Sequence, residues 1–289
     1  MNPSNLFHVD VFASSQLNGN GLSVVLNADN WKTDFMQRIT QEMRQFETIF
    51  LSSITDLGAT ARVFTTEEEL PFAGHPVLGA AAVLHRTQRP YETECNWNID
   101  LPAGRTTVQT TRFPEYYRCE MDQGIPKFRA PATSAELRPF LARLGLQEAD
   151  IDGRFSAQVV STGLPYLIVP VHALGLAKAK IVSHDLEQCL QALGAKFVLL
   201  LDVDAKEIRT WDNQGKVEDV ATGSAAGPAV AFLIQNGAVS SALATTLHQG
   251  RFAGRPSELT VRRSIGQHIH VSGNVWSVSC GHLEARHDA

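Results

Sequence analysis

A chain of 289 residues, 44% hydrophobic and 19% charged, can bury the cores of two ordinary domains or one large one, which excludes a disordered protein. A formal net charge of −5 without a dense Lys/Arg stripe argues against a nucleic-acid binder. No apolar run approaches the roughly 18 to 20 residues that a membrane-spanning helix needs. Cys95, Cys119, Cys189 and Cys280 are far apart and form no CxxC pair, so they read as free thiols in a reducing compartment. The Met-Asn-Pro-Ser start lacks a basic stretch followed by an apolar one, so no secretory signal is expected and the location reads as cytoplasmic.

In chain order, "FHVDVFA" and "LSVVLN" read as strands joined by the turn-prone "NGNG" at Asn18 to Gly21. "DNWKTDFMQRITQEMRQ" places Trp31, Phe35, Ile39 and Met43 at four-residue spacing, an amphipathic helix with Asp29 or Asn30 as its cap. "ETIFLSS" and "TARVFTT" are strand-like, and then comes "PFAGHPVLGAAAVLHR", a nearly uncharged helix opened by Gly74, His75 and Pro76. A helix apolar on every side should be buried, and its first N–H groups then need a cap or a ligand. "RTTVQTT" and "YYRCEM" continue as strands, and the Pro/Gly-rich "GIPKFRAPATS" reads as the connection between halves.

Thr133-x-x-Glu136 predicts a capping box at the head of a further helix. "SAQVVS", "PYLIVP", "FVLLLDVD" and "EIRTWDN" read as strands, with a helix at "SHDLEQCLQAL". A second charge-poor helix comes next at "ATGSAAGPAVAFLIQNG". Gly223 lies 149 positions after Gly74, and an arginine-containing strand precedes each, Arg62 by 12 residues and Arg209 by 14. This is a structural echo: two halves, each wrapping strands around one buried helix. Two such helix N-termini at a shared cleft would suit an anionic ligand.

Three short pieces could carry chemistry. Glu47 in "FETIF" shares a strand face with Ile49, where an apolar setting suits a general acid/base. The other reading is an edge-strand glutamate with its head in water. His75 either donates a hydrogen bond that orients a substrate or caps and packs the helix start. Asp219 either faces Glu47 as a second proton-handling group or is a turn or capping aspartate. Thr222, Gly223 and Ser224 offer hydroxyls and N–H donors suited to a carboxylate. No complete GxGxxG, Walker-type loop, GxSxG elbow or HExxH is present, and "HIH" at His268 to His270 reads as an exposed strand pair.

"HVDVFASSQLNGNGLSVVL", "FETIF", "PFAGHPVLGAAAVL", "STGLPYLIVPV" and "EDVATGSAAG" occur in the order found in the phenazine-biosynthesis F-type (PhzF-like) isomerases. The chain resembles that family from about residue 6 to the final "SVSCGHLE". The resemblance implies an α+β, diaminopimelate-epimerase-like fold of two pseudo-symmetric domains, each a mixed β-sheet barrel around a central α-helix, with the active site between them. The expected division is residues 1–125 and 126–289, with the terminal strand able to cross between halves. It further implies Glu47, His75 and Asp219 as catalytic residues and an anion cradle at Gly223 and Ser224. Asn20, Gly74 and Thr222 are expected among the substrate-binding groups as well. A homodimer is common in that family. Family departures are Phe46 before the glutamate, Gly21 after the turn asparagine and Val220 after Glu218-Asp219. The paired cysteines of proline racemases are missing from both helix starts, so a two-thiol racemase is not expected.

The expectation is therefore a cofactor-independent, metal-free isomerase that moves a proton within a small carboxylate-bearing substrate through Glu47. An amino-acid-like racemase or epimerase using Glu47 and Asp219, and a non-catalytic metabolite- or partner-binding protein, are the alternatives.

Overall fold

The computed structural model describes residues 4–183 and 185–284. Two compact units divide the chain: the first runs up to Met121 and resumes at Ser272, and the second is Asp122–Val271. The first holds strands β1 (Ser4–Val11), β2 (Asn20–Val25), β3 (Glu47–Ser52), β4 (Gly58–Phe64), β5 (Glu69–Leu70), β6 (Glu94–Leu101), β7 (Gly104–Arg112) and β8 (Tyr116–Asp122). Helices α1 (Thr33–Met43) and α2 (Gly74–Gln88) lie among them. Then come β9 (Lys127–Pro131), α3 (Ser134–Arg143), β10 (Gln158–Ser161), β11 (Pro165–Pro170), α4 (Ala173–Lys178) and α5 (Leu186–Leu193). The chain continues with β12 (Phe197–Asp202), β13 (Glu207–Arg209), α6 (Gly223–Gln235), β14 (Thr245–Gln249), β15 (Ser257–Arg263) and β16 (Ile269–Leu283).

In the first unit the strands run in the order β1-β2-β3-β4-β6-β7-β8-β16, and β16 pairs back to β1, closing an eight-stranded ring. Parallel pairs β2/β3 and β4/β6 alternate with antiparallel ones, so the sheet is mixed. α2 fills the ring. It has no charged residue before Arg86, and every residue from His75 to His85 is buried, as an all-round apolar helix requires. Close approach sets Gly79: a Cβ there would stand 2.4 Å from Leu22 Cδ2 and 3.2 Å from Val11 Cγ2. α1 covers the outside, where Trp31, Phe35 and Ile39 pack on Phe50 and Phe64. The charge-free α6 contacts β10, β11, β12 and β15 in the second unit, whose strands run from β16 through β15, β14, β13, β12, β11 and β10 to β9. Backbone bonds from Gln123 N–H to Ile269 O and from Ile269 N–H to Gly124 O tie the segment before β9 to β16. The fold is α+β, with a mixed sheet around one central helix in each unit.

The echo has a physical counterpart. Arg62 donates twice to Glu69, at 2.7 and 2.6 Å, with its guanidinium 5.1 Å from the Phe64 ring. Arg209 donates twice to Glu218, at 2.8 and 2.6 Å, and lies 4.7 Å from the Trp211 ring. Each glutamate pairs across from the aromatic residue, Phe64 with Glu69 and Trp211 with Glu218. Each also precedes the first residue of its central helix by five positions (74 − 69 and 223 − 218). Such bidentate pairs fix direction as well as distance; here they set how the chain enters each buried helix.

Several local expectations need correction. "NGNG" is not the β1–β2 turn: residues 12–19 form the connection, and Asn20 already pairs with Val11. The reason lies in Asp10, whose Oδ2 accepts the Leu17 N–H at 2.7 Å and organises a longer loop. Neither Asp29 nor Asn30 caps α1. Its N-cap is Lys32, and Asp29 accepts the Ser53 N–H instead. The Pro/Gly-rich connection contains β9, an exposed strand pairing with β10 and ending at Pro131, a position that suits proline on a sheet margin. Thr133 and Glu136 do form the expected capping box.

Gly58 sits opposite Asn98 in the parallel β4/β6 pair, and a Cβ there would meet Asn98 O at 1.9 Å. A backbone oxygen cannot turn aside. Gly58→Ala is expected to lower unfolding free energy by about 1–3 kcal/mol, measured by urea denaturation, as overpacking typically does.

Candidate functional site

In the first unit Glu47 opens β3, with Leu22 of β2 as its parallel partner. β3 is an interior strand with β2 on one side and β4 on the other. The Glu47 side chain is only 17% exposed. The edge-strand reading is thereby overturned. His75 is the second residue of α2, and its Nε2 stands 3.2 Å from Glu47 Oε2. Burial pushes the His75 pKa down to about 3, because a charged imidazole loses its hydration there. The ring is therefore neutral near pH 7.

The helix start itself is bare. Ala73 at the N-cap has no side chain that can accept a bond, and the first turn carries no acidic residue. Among the described residues the N–H groups of Gly74 and His75 enter no hydrogen bond. Donors of this kind, at the positive end of a helix, favour an anion. Asn20 is fully buried at the first position of β2.

The second unit builds a different constellation from Asp219, Thr222, Gly223 and Ser224. Asp219 Oδ1 accepts the Ala221 N–H at 3.2 Å, and Oδ2 accepts the Thr222 hydroxyl at 2.6 Å. Asp219 is thus a turn residue; the N-cap of α6 is Thr222, whose side chain makes no cap bond. Buried Gln249, from β14, accepts the Thr222 N–H at 2.8 Å and donates to Asp219 O at 2.8 Å and Thr222 Oγ1 at 2.9 Å. Thr210 Oγ1 lies 2.6 Å from Thr222 Oγ1. Tyr166 Oη is 2.7 Å from Ser224 Oγ.

Sequence pattern does not single out Gln249, Thr210 or Tyr166. Gln249 lies in "TTLHQGR", a stretch with no motif, and its role depends on strand pairing. Tyr166 stands in view inside "STGLPYLIVPV", where alternation in an apolar strand gives no hint that its hydroxyl reaches a helix start.

His268 precedes β16 instead of lying in it, and its Nδ1 is 2.7 Å from Asp122 Oδ2. Among the described residues no group of three or more His, Cys, Asp and Glu could hold a metal ion. No described helix is long and apolar enough to cross a membrane.

Residues 9–281 match the family described as phenazine biosynthesis-like protein (PhzC-PhzF). The chain belongs to this family. A Pseudomonas aeruginosa structure named a predicted epimerase is 44% identical, with a TM-score of 0.92 over 98% of this chain and all of that one. The trans-2,3-dihydro-3-hydroxyanthranilate isomerase of Pseudomonas chlororaphis is 31% identical over 92% of this chain and 94% of its own length. A probable proline racemase from Agrobacterium radiobacter, 12% identical, shares the fold with a TM-score of 0.58 over 98% of this chain and 93% of that one. Family membership together with the named relatives makes the chain an isomerase.

The depressed His75 pKa has a consequence for stability. Its folded value lies below the unfolded 6.5, so its contribution is complete above pH 6.5 and is lost as pH falls toward 3. His75→Gln should flatten that part of the stability curve relative to wild type, as read by urea melts between pH 7 and pH 4.

Proposed function

We propose that the chain moves a proton between carbons of a small, carboxylate-bearing, conjugated substrate, with Glu47 as the acid/base. The observation that carries this reading is the half-buried Glu47 3.2 Å from a buried, neutral His75, set at an uncapped helix start. Glu47 takes a proton from an acidic carbon, the electron pair passes into the conjugated system, and the Glu47 carboxyl, after exchange with solvent, returns a proton at another carbon. Proton count and charge are conserved, so the step needs no cofactor.

His75 assists as a neutral ring. It supplies a hydrogen bond without a full positive charge competing for the carboxylate. The free N–H groups at Gly74 and His75 suit a substrate carboxylate or a developing oxyanion. Asp219, Thr222, Gly223 and Ser224, with Asn20, are assigned to orienting the substrate. Both Asp219 oxygens already accept bonds, which supports an orienting role over that of a second base.

The 44% identity to a protein named a predicted epimerase favours a second reading, epimerisation with Glu47 and Asp219 as paired bases. The two differ in where label goes. Epimerisation puts solvent deuterium at an inverted stereocentre, whereas the proposed isomerisation relocates a double bond.

The first assay tracks deuterium incorporation by NMR in deuterated water, starting with trans-2,3-dihydro-3-hydroxyanthranilate and extending to small cyclic and acyclic carboxylates. Glu47→Gln should reduce incorporation by about 10²–10⁴-fold, the usual worth of a positioned acid/base. Full incorporation by that variant would sink the assignment of Glu47.

A further inference from the structure

Tyr166, in β11, is 2% exposed, and its hydroxyl stands 2.7 Å from the hydroxyl of Ser224, the second residue of α6. Geometry alone allows either oxygen to donate. The two directions differ in what they leave over. If Ser224 donated, the phenol hydrogen would be buried without an acceptor, because Tyr166 makes no other hydrogen bond among the described residues. A buried donor left unmet is costly. If Tyr166 donates, the hydrogen left over belongs to Ser224, which is only partly buried and can turn outward.

The phenol keeps its proton. Burial raises its pKa far above the ordinary value; the Ser224 bond acts the other way, and the Asp219 charge adds to the rise. The backbone beneath is held just as firmly. Gln249 takes the Thr222 N–H at 2.8 Å, and Gln123 donates to Gly223 O at 2.9 Å, itself accepting from Thr162 at 3.1 Å. Thr222, Gly223 and Ser224 are each held by a side chain from a different segment. Among the described residues the N–H groups of Gly223 and Ser224 enter no bond.

We propose that Tyr166 is a positioning residue that makes the Ser224 hydroxyl a committed donor. The start of α6 then presents three hydrogens, from Ser224 Oγ and the N–H groups of Gly223 and Ser224, to a group that can only accept. A carboxylate oxygen fits that demand. An ammonium or amide N–H at the same point does not, so the device favours an acceptor oxygen over a donor there. This inference rests on the proposed role of Ser224 in substrate binding.

Neutron diffraction from perdeuterated protein tests the direction without any ligand. The deuteron should be bonded to Tyr166 Oη and point at Ser224 Oγ; a deuteron on Ser224 pointing at Tyr166 would overturn the proposal. A double-variant cycle tests the consequence, with trans-2,3-dihydro-3-hydroxyanthranilate as probe and thermal unfolding as a check on folding. Tyr166→Phe should raise KM about tenfold with kcat nearly unchanged, the scale expected for one disoriented hydrogen bond to a charged group. Ser224→Ala should raise KM at least as much, and adding Tyr166→Phe to it should change nothing further. Additive effects would count against the proposal. If wild type does not turn over the probe, that substrate assignment fails while the deuteron position still decides the role of Tyr166.

Discussion

An α-helix with no polar face has no orientation in which one side meets water, so it must be enclosed on all sides. That constraint governs this molecule. α2 carries no charge until Arg86, and a ring of eight strands is what it takes to surround it. Enclosure solves the apolar problem and creates a polar one, because the helix still has N–H groups at its start that nothing inside the helix can satisfy. In each unit the chain supplies no side-chain cap at that point. The helix start is left able to bind something from outside.

The approach to each helix is controlled by a buried or half-buried arginine–glutamate pair braced on an aromatic ring. Arg209 goes further than Arg62. Its guanidinium also donates to Leu176 O at 2.6 Å and Ala179 O at 3.0 Å, which accounts for its donors although its side chain is only 8% exposed. A buried charge is tolerated when its partners are complete, and here they come from several segments at once. The same device therefore appears in a lighter form in the first unit and a heavier one in the second. The residue directly after each clamp differs: Leu70 after Glu69, but Asp219 after Glu218. The first unit brings its carboxylate from β3 instead, through Glu47. A common frame thus supports two chemically unlike helix starts, one with a neutral imidazole beside a carboxylate, the other with a carboxylate ordered by hydroxyls.

Features carried by local pattern were readable in the sequence. The uncharged helices, the Thr133–Glu136 capping box, the alternating strands and the clustered motifs around Glu47, His75 and Asp219 all announce themselves within a few residues. Features carried by pairing between distant segments were not. β6 hides its inward set of Cys95, Trp97, Ile99 and Leu101 between polar neighbours, and its place is fixed by its pairing with β4 and β7. Gln249 looks like any surface glutamine until β14 is paired with β15 and its amide is found beside Thr222. Tyr166 likewise acquires meaning only from Ser224, 58 residues away. Asp29 shows the converse failure: its sequence position invites a helix cap, but the Ser53 N–H is a better-placed donor.

The closure of the first ring by β16 bears on the order in which the molecule can be assembled. β1, the central helix and six further ring strands of that unit are made early, yet the strand that joins β8 to β1 is encoded after the whole of Asp122–Val271. During synthesis the first unit therefore waits with two unpaired strand margins and a partly uncovered α2, while every residue of the second unit is produced. Exposed margins of that kind invite pairing with other chains, and contacts this far apart in sequence form slowly. The interval before β16 emerges is the stage at which this chain most needs protection from its neighbours.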